Sequence, residues 1–335
     1  MTVQYTNRNG LSLYAQVALA TDWYDHAEAG LSVTTLLKPL KQVILGRRVE
    51  PGAVIPDVSD QIANTVGSAV HDGFERAWTQ NPDLVSTLIS VGVAPGAAKK
   101  VVVNPTPEQV AAGGIIPAYF EVRLKKTING VTVSGKFDAV IDGVVEDLKN
   151  TGVYTYMTGR KDEDYIAQGS MYRWLDPKII TKDYMNLTFN FTDWSKGQSF
   201  QIPGYPTDRM LTRRFNLWSV EETEAFVVRR IEDLTRLMDA PEELIPACTD
   251  EDLWRKAPSY RYYKNPAKAY EPGARSTKNF DNPHDAAVQR NKDGDVGIVI
   301  ERKGEVKACL YCPGFLVCKQ KDLLIASGDL IVASH

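Results

Sequence analysis

Residues 131–150 read VTVSGKFDAVIDGVVEDLKN, and the interpretation of the whole chain depends on this stretch. Hydrophobic and polar residues alternate from position 131 to 141, which is the pattern of a β-strand with one buried face. Asp142-Gly143 follows, and this dipeptide favours a two-residue type I′ turn because both central residues need a positive φ. The stretch therefore predicts a β-hairpin in which Ile141 pairs with Val144.

Two aspartates face each other across this predicted hairpin. Counting outward from the turn places Asp138 opposite Asp147, and Lys136 opposite Lys149 in the same way. Directly opposed side chains have Cβ atoms about 4.5–5.5 Å apart, so the two carboxylates repel each other unless a cation lies between them. Lys149 points to the same face as Asp147 because strand side chains alternate with a period of two. Two acids and a lysine around one point predict a site for metal-assisted hydrolysis.

Four short motifs give the chain a resemblance to a known family. Asp138 followed by residues 147–149 (DLK) is similar to the D…(D/E)xK signature of the PD-(D/E)XK nuclease superfamily. Residues 67–71 (GSAVH) resemble the GxxxH helix motif of RecB-like nucleases, and residues 168–172 (QGSMY) resemble their QxxxY motif. The C-x2-C-x5-C spacing at 309–318 is similar to that of iron–sulfur members, such as AddB-type and CRISPR-associated RecB-like nucleases. The motifs follow the family's order and span most of the chain.

The resemblance implies a fold and an activity. The fold is α/β, a central mixed sheet flanked by helices as in restriction endonucleases, followed by a small C-terminal cysteine-cluster module. The activity is that of a metal-dependent DNA nuclease, an exonuclease acting on single-stranded DNA or DNA ends and leaving 5′-phosphates, in recombination or DNA processing of phages or bacteria. No P-loop is present, so we expect a stand-alone nuclease. The alternative is a catalytically silent nucleic-acid-binding subunit with a structural metal cluster.

The resemblance also implies roles for individual residues. His71, Asp138, Asp147 and the Leu148 backbone carbonyl would hold Mg2+ or Mn2+, which lowers the pKa of a bound water. Lys149 would orient or deprotonate the attacking water and stabilise the charge that develops on the phosphate. Aspartate at position 147 is a tolerated variant of the commoner glutamate, so we expect activity.

Three other side chains have a second interpretation. Gln168 and Tyr172 are four residues apart on a helix predicted from Lys161 to Leu175 and therefore share a face. The residues alone indicate a surface pair or a tyrosine packed on the sheet, whereas the resemblance implies that both face the active site and support Lys149. Glu121, on the strand before the hairpin, could bind a second metal, but a solvated strand glutamate is the favoured interpretation.

A second predicted helix, from Asp57 to Trp78, carries the GxxxH motif. Gly67 and His71 share a face, and a glycine one turn before the histidine allows a backbone or a metal's ligand shell to approach closely. A lone helical histidine is otherwise an ordinary core or surface residue. The apolar positions that predict the buried stripe of this helix are Ile62, Val66, Val70, Phe74 and Ala77.

The composition is that of an ordinary globular protein. The 335 residues are 43% hydrophobic and 24% charged, with a formal net charge of −3, which by itself does not indicate nucleic-acid binding. No apolar run approaches the ~18 residues of a membrane span, and no signal peptide is visible. We therefore expect a cytoplasmic protein without a membrane partner, with DNA as its partner and an oligomeric state that the sequence does not indicate.

The pattern of elements suggests three parts. These are an N-terminal helical segment (1–56), a nuclease core (57–240) and a C-terminal module (241–335). Residues 80–114 are rich in Gly, Pro and Ala and predict a flexible insertion in the core. Ser219-Val-Glu-Glu has capping-box spacing and predicts the start of a helix that runs to about Met238.

The C-terminal module is basic and aromatic. Between Trp254 and Phe280 there are seven Lys/Arg but one acid, and six aromatic residues lie among them. This composition suits a platform for single-stranded DNA, where phosphates meet cations and bases stack on rings, or equally a small aromatic core with a basic rim. The candidate DNA-binding residues are Arg255, Lys256, Arg261, Tyr262, Tyr263 and Lys264.

Four cysteines belong to the same module. Cys248, Cys309, Cys312 and Cys318 supply enough soft ligands for a 4Fe–4S cluster or, alternatively, a Zn2+ site. The clustering of three of them favours a metal site in a reducing compartment over a disulfide framework. Cys248 follows the nuclease core, whereas the first cysteine of the iron–sulfur nucleases precedes it. We therefore expect a structural cluster within the C-terminal module.

Overall fold

The computed structural model describes residues 4–22, 30–271 and 273–332. The strands are β1 (Leu31–Ser32), β2 (Val101–Val103), β3 (Ile116–Phe120), β4 (Arg123–Ile128), β5 (Val131–Lys136), β6 (Ala139–Ile141), β7 (Val144–Thr151), β8 (Tyr184–Phe191), β9 (Met210–Asn216), β10 (Ser259–Tyr263), β11 (Lys278–Phe280) and β12 (Ile298–Arg302). The helices are α1 (Leu13–Ala20), α2 (Val33–Leu37), α3 (Leu40–Arg48), α4 (Ile62–Thr79), α5 (Leu84–Ser90), α6 (Pro95–Ala98), α7 (Pro107–Ala112), α8 (Val153–Thr158), α9 (Asp162–Leu175), α10 (Lys196–Ser199), α11 (Val220–Leu237), α12 (Pro283–Lys292) and α13 (Lys319–Ala326).

A six-stranded mixed sheet is the centre of the first compact unit. Its strand order is β2-β3-β6-β7-β8-β9, in which β2/β3 and β7/β8 are parallel pairs and the other neighbours are antiparallel. A parallel neighbour requires a crossover connection, and α8 and α9 supply it between β7 and β8. Helices flank the sheets, and the predicted class, a mixed α/β fold, is confirmed.

The predicted hairpin is present, but its first strand is interrupted. Ile141 pairs with Val144, and the turn residues Asp142 and Gly143 have φ values of 50° and 81°. The prediction of one strand from 131 to 141 is wrong, because β5 belongs to a separate three-stranded sheet of order β1-β5-β4. Lys136 therefore pairs in register with Arg123 and not with Lys149.

Helix α9 lies against the sheets so closely that a larger residue at one glycine position would displace neighbouring side chains. A Cβ at Gly169 would lie 2.4 Å from the Met185 sulfur on β8 and 2.9 Å from a Leu217 methyl. Trp174 and Met171, also on α9, are fully buried. The predicted helix over 161–175 is confirmed, and its packing fixes the position of the strands that carry the acidic residues.

The boundaries of the two compact units differ from the predicted division. The first unit contains residues 1–37 and 52–232, and the second contains residues 38–51 and 233–335. The N-terminal segment is thus divided between the units. The predicted flexible insertion at 80–114 forms three short helices and β2, an edge strand of the six-stranded sheet, because Val101–Val103 pair with Ile116–Ala118.

The second unit contains a small antiparallel sheet and a cysteine-bearing region. The sheet has the order β11-β10-β12, and α12 contacts all three strands. Leu253, Val306, Cys309, Leu324 and Leu330 form a hydrophobic cluster, on which Cys248 and Phe315 pack. Within the described residues, no helix has both the length and the hydropathy needed to cross a membrane.

Candidate active site

Asp138 lies in the gap between β5 and β6, where the chain passes from one sheet to the other. Its Oδ2 accepts a hydrogen bond from the backbone N–H of Leu148 on β7 (3.0 Å) and lies 3.1 Å from Nδ1 of His71. Burial opposes ionisation of this carboxyl, but the His71 hydrogen bond and the nearby positive charges keep its pKa below the usual range. Asp138 is therefore a carboxylate held across the hairpin.

Asp147 and Lys149 form a buried ion pair on β7. Asp147 is only 5% exposed, and the Lys149 Nζ lies 3.0 Å from its Oδ1 and 2.7 Å from its Oδ2. Burial raises the pKa of Asp147 to about 6, although Lys149 acts in the opposite direction. The Lys149 contact to Oδ2 is an ion contact without hydrogen-bond geometry, so this oxygen is buried without a hydrogen-bond donor. The nearby ammonium offsets part of the cost of burying this oxygen, and its lone pairs suit coordination to a cation.

Helix α4 brings His71 to the hairpin, but its inner face is not the predicted one. Trp78 packs on Phe120 of β3 with ring centroids 5.3 Å apart, and His71 lies two turns earlier on the same face. Ile62 and Val66, predicted to belong to the buried stripe, are 46% and 50% exposed. The face that lies on the sheet instead combines one histidine with aromatic and acidic residues. The spacing of apolar residues in the sequence therefore did not predict which face of the helix points inward.

Gly67 does not provide the predicted close approach. A Cβ at this position would meet no described heavy atom within 4 Å, so nothing in the described residues requires a glycine there. The hydrogen bond between His71 and Asp138 raises the pKa of the histidine, against the effect of burial. His71 is thus positioned by the packing of Trp78 and not by its GxxxH spacing.

A cavity of about 220 Å3 brings these groups together. Its lining comprises His71, Phe74, Glu75, Trp78, Phe120, Glu121, Asp138, Ala139, Ile141, Glu146, Asp147, Leu148 and Thr188. All four residues predicted to bind the metal, His71, Asp138, Asp147 and Leu148, thus line one space, and Lys149 is not among the lining residues. Within the described residues, no three His, Cys, Asp or Glu side chains already surround a common point as a preformed metal site.

Glu121 is closer to the site than the sequence indicated. Its φ of 53° lies in the left-handed region, which non-glycine residues seldom adopt, and its N–H donates to the Asp138 carbonyl (3.1 Å). The carboxylate contacts the Lys136 Nζ at 2.5 Å, and burial raises its pKa. The interpretation as a solvated strand glutamate is wrong, because Glu121 is half-buried and lines the cavity. Strand alternation gave no signal for the bend that turns it inward.

Gln168 and Tyr172 connect α9 to β5 and do not line the cavity. The Gln168 amide donates to the Tyr172 hydroxyl (2.8 Å), which donates to the backbone carbonyl of Lys136 (3.0 Å). Tyr172 is 4% exposed, and a Cβ at Gly135 would lie 2.8 Å from its ring. The pair therefore holds the chain two residues before Asp138.

The four cysteines lie together in the second unit. Cys248, Cys309, Cys312 and Cys318 are not in disulfides, and all line one cavity of about 30 Å3. Burial raises the pKa of Cys248 to about 12 and that of Cys309 to about 11. Thiols so buried stay protonated unless a metal replaces the proton.

The structure separates the six candidate DNA-binding residues into three groups. Tyr262 and Tyr263 are 0% and 3% exposed, so their prediction as stacking surfaces is wrong and the small aromatic core accounts for them. Arg255 pairs with Asp250 and Asp329, and Lys256 pairs with Glu305. Arg261 and Lys264 are exposed.

Comparisons with known proteins give distant similarities. No protein-family model and no curated protein matches the sequence. The chain is similar to the crystal structure of SSO0001, with 17% identity and a TM-score of 0.38 over 68% of this chain and 85% of that one. It is also similar to a phage-related exonuclease from Haemophilus somnus 129PT, with 14% identity and a TM-score of 0.28 over 65% of this chain and 96% of that one. Neither similarity identifies the chain.

Proposed function

We propose that the protein is a divalent-metal-dependent nuclease that hydrolyses DNA phosphodiester bonds. The observation that carries this proposal is that Asp138, Asp147 and His71 line one cavity, while Lys149 contacts Asp147. Placing two acids beside each other has no value for packing, whereas the set provides both metal ligands and a cation for phosphate chemistry.

The donor set fits Mg2+ or Mn2+. Carboxylate oxygens are the ligands that these hard cations prefer, and an imidazole is acceptable to Mn2+. The buried Oδ2 of Asp147 accepts no hydrogen bond, so it has lone pairs available for coordination. We expect Asp138, Asp147, His71 and the Leu148 carbonyl to hold the ion, which when bound lowers the pKa of a coordinated water.

Lys149 and the residues that position the hairpin supply the other catalytic roles. The Lys149 ammonium is held by Asp147 at 2.7–3.0 Å, where it can orient the attacking water and stabilise negative charge on the phosphate. The Leu148 N–H holds the Asp138 carboxylate across the strands, so the two acids keep a fixed separation. Fixed geometry of this kind lowers the barrier by removing the need to assemble the groups during the reaction.

The finer assignment rests on the motifs. Their order supports a RecB-like exonuclease of the PD-(D/E)XK superfamily that acts on single-stranded DNA or DNA ends and leaves 5′-phosphates. In this proposal the four cysteines hold a 4Fe–4S cluster, with Zn2+ as the alternative, that stabilises the second unit. All four free thiols line one cavity, which supports the cluster, and metal binding would require them to move closer to a common point.

Cleavage of end-labelled single- and double-stranded DNA tests the nuclease. We expect cleavage with Mg2+ or Mn2+, none with EDTA, and loss of cleavage in Lys149→Ala. Lys178→Ala removes an exposed lysine from the same unit and should cleave as the wild type does. If the folded, metal-supplied wild type binds DNA without cleaving it, the enzyme proposal is refuted and the silent binding subunit is supported.

Metal analysis and the visible spectrum of anaerobically purified protein test the cluster. Iron and sulfide in equal amounts are expected, whereas zinc alone would select the alternative site. Cys312→Ser should lower the metal content, since each thiolate is a ligand.

A further inference from the structure

The two faces of the small sheet in the second unit are used differently. Side chains alternate along β10, so Tyr262 points to one face while Arg261 and Tyr263 point to the other. The Tyr262 face is covered by α12 and the loop after it, because the Tyr262 hydroxyl bonds to the Asp293 carboxylate (3.0 Å) and the Val296 carbonyl (2.9 Å). The Arg261 face borders a cleft of about 730 Å3.

Three arginines surround this cleft without acidic partners. Arg261, Arg275 and Arg302 are exposed, and the side chain of none of them has an ion pair or hydrogen bond within the described residues. Glu271 is the one acid among the described lining residues. Arg255, by contrast, is paired with two aspartates. The cleft therefore carries excess positive charge on a chain whose net charge is −3, which favours a polyanionic ligand.

An aromatic ring is exposed beside these cations. Tyr270 ends a short 3-10 segment, Pro266–Tyr270, that is capped by the Asn265 side chain at the Ala267 N–H. The ring is 73% exposed, whereas the neighbouring Tyr263 forms part of the buried floor. An exposed ring next to unpaired arginines suits an unstacked base that is attached to phosphates.

We propose that this cleft, defined by Arg261, Tyr270, Arg275 and Arg302, binds single-stranded DNA. The arginines contact the phosphates and Tyr270 stacks on a base. The choice of DNA as the polyanion rests on the proposed nuclease function. Single strands are favoured over duplexes because the bases of a duplex are already stacked on each other and do not reach a ring on the protein surface.

Fluorescence anisotropy with a labelled oligothymidylate in EDTA measures this binding without cleavage. We expect Tyr270→Ala to weaken binding about tenfold, with Tyr270→Phe close to the wild type, because stacking needs the ring and not the hydroxyl. Arg275→Ala should reduce the slope of log K against log salt by about 0.7, the value for one phosphate contact on a single strand. Lys292→Ala, which removes an exposed charge from α12 on the opposite face, is the matched control.

Each result decides the proposal. Equal weakening in Lys292→Ala and Arg275→Ala would show a general charge effect, and unchanged binding in Tyr270→Ala would remove the stacking site; both overturn the proposal. If Arg275→Ala lowers the affinity for duplex and single-stranded DNA equally and Tyr270→Ala has no effect, the surface binds phosphates without recognising unstacked bases. The measurement is independent of cleavage, so an inactive protein with this binding pattern refutes the nuclease but not the cleft.

Discussion

Replacing Tyr172 by phenylalanine separates a role in positioning from a role in general stability. The change removes the hydroxyl that accepts from Gln168 and donates to the Lys136 carbonyl, while the ring keeps its contact with Phe137, 6.3 Å between centroids. Two buried hydrogen bonds at about 0.5–1.5 kcal/mol each, partly replaced by relaxation, give a loss of about 1–2 kcal/mol. For a unit of this size we expect Tm to fall by about 2–8 °C.

The same change should slow DNA cleavage well below the unfolding temperature. The Lys136 carbonyl lies two residues before Asp138, and losing its anchor allows the ligand-bearing gap between β5 and β6 to move. We expect the single-turnover rate constant for cleavage to fall about tenfold with DNA affinity little changed, since small displacements of reacting groups have effects of that size or larger. The assay is single-turnover cleavage of labelled DNA at saturating Mg2+, with thermal unfolding of the same sample.

Tyr262→Phe is the matched control for this prediction. It also removes the hydroxyl of a fully buried tyrosine, whose one proton is shared between the Asp293 carboxylate and the Val296 carbonyl, but in the second unit. It should lower stability by a similar amount and leave cleavage unchanged. Wild-type kinetics in Tyr172→Phe, or an equal rate loss in both variants, would refute the idea that Tyr172 positions the active site.

Three further predictions concern stability. Gly169→Ala should cost about 1–3 kcal/mol by overpacking, whereas Gly73→Ala, exposed on α4 with no atom within 4 Å, should stabilise by up to about 1 kcal/mol; urea unfolding measures both. Hydrogen bonds, chiefly from Ser59, hold the pKa of buried Asp57 well below about 3.9, so its stabilisation is present above that pH and disappears as the pH falls through the lowered pKa. The Tm deficit of Asp57→Asn at pH 7 should therefore shrink in acid. Lys41→Met removes the ammonium that lies 3.2 Å from the buried Glu242 carboxylate, and should lower the free energy of unfolding by about 3 kcal/mol. Adding Glu242→Gln in the double variant should restore much of this loss.

Features set by neighbouring residues were predictable from the sequence. The Asp-Gly turn has the expected positive φ values, and the capping box of α11 forms, with the Glu222 N–H donating to Ser219 Oγ (3.0 Å) and the Ser219 N–H donating to Glu222 (2.9 Å). Both signals are local, because a dipeptide or a tetrapeptide contains all the interacting groups. The acid–lysine hairpin followed from the same turn, since a known turn fixes the register outward.

Features set by distant residues were not predictable. The alternation from 131 to 141 continues through Phe137, yet the chain changes sheets there, because β4 pairs with its first half and β3 pairs with its second half. The basic and aromatic residues around Tyr262 in the sequence are also those expected around a tyrosine that stacks on bases. Only the packing of α12 shows that Tyr262 is buried. In each case the local pattern is satisfied by two structures, and contacts from elsewhere in the chain decide between them.

The opposed aspartates reveal a different limit of the sequence reasoning. From the register alone, Asp138 and Asp147 required a cation between them. In the structure each acid has its own partner, since His71 and the Leu148 N–H stabilise Asp138 while Lys149 stabilises Asp147. The protein itself therefore offsets much of the repulsion, and we expect the first unit to fold without a bound metal. It follows that EDTA should abolish cleavage while changing the Tm of the first unit little, and a large fall in that Tm would contradict this account of the hairpin.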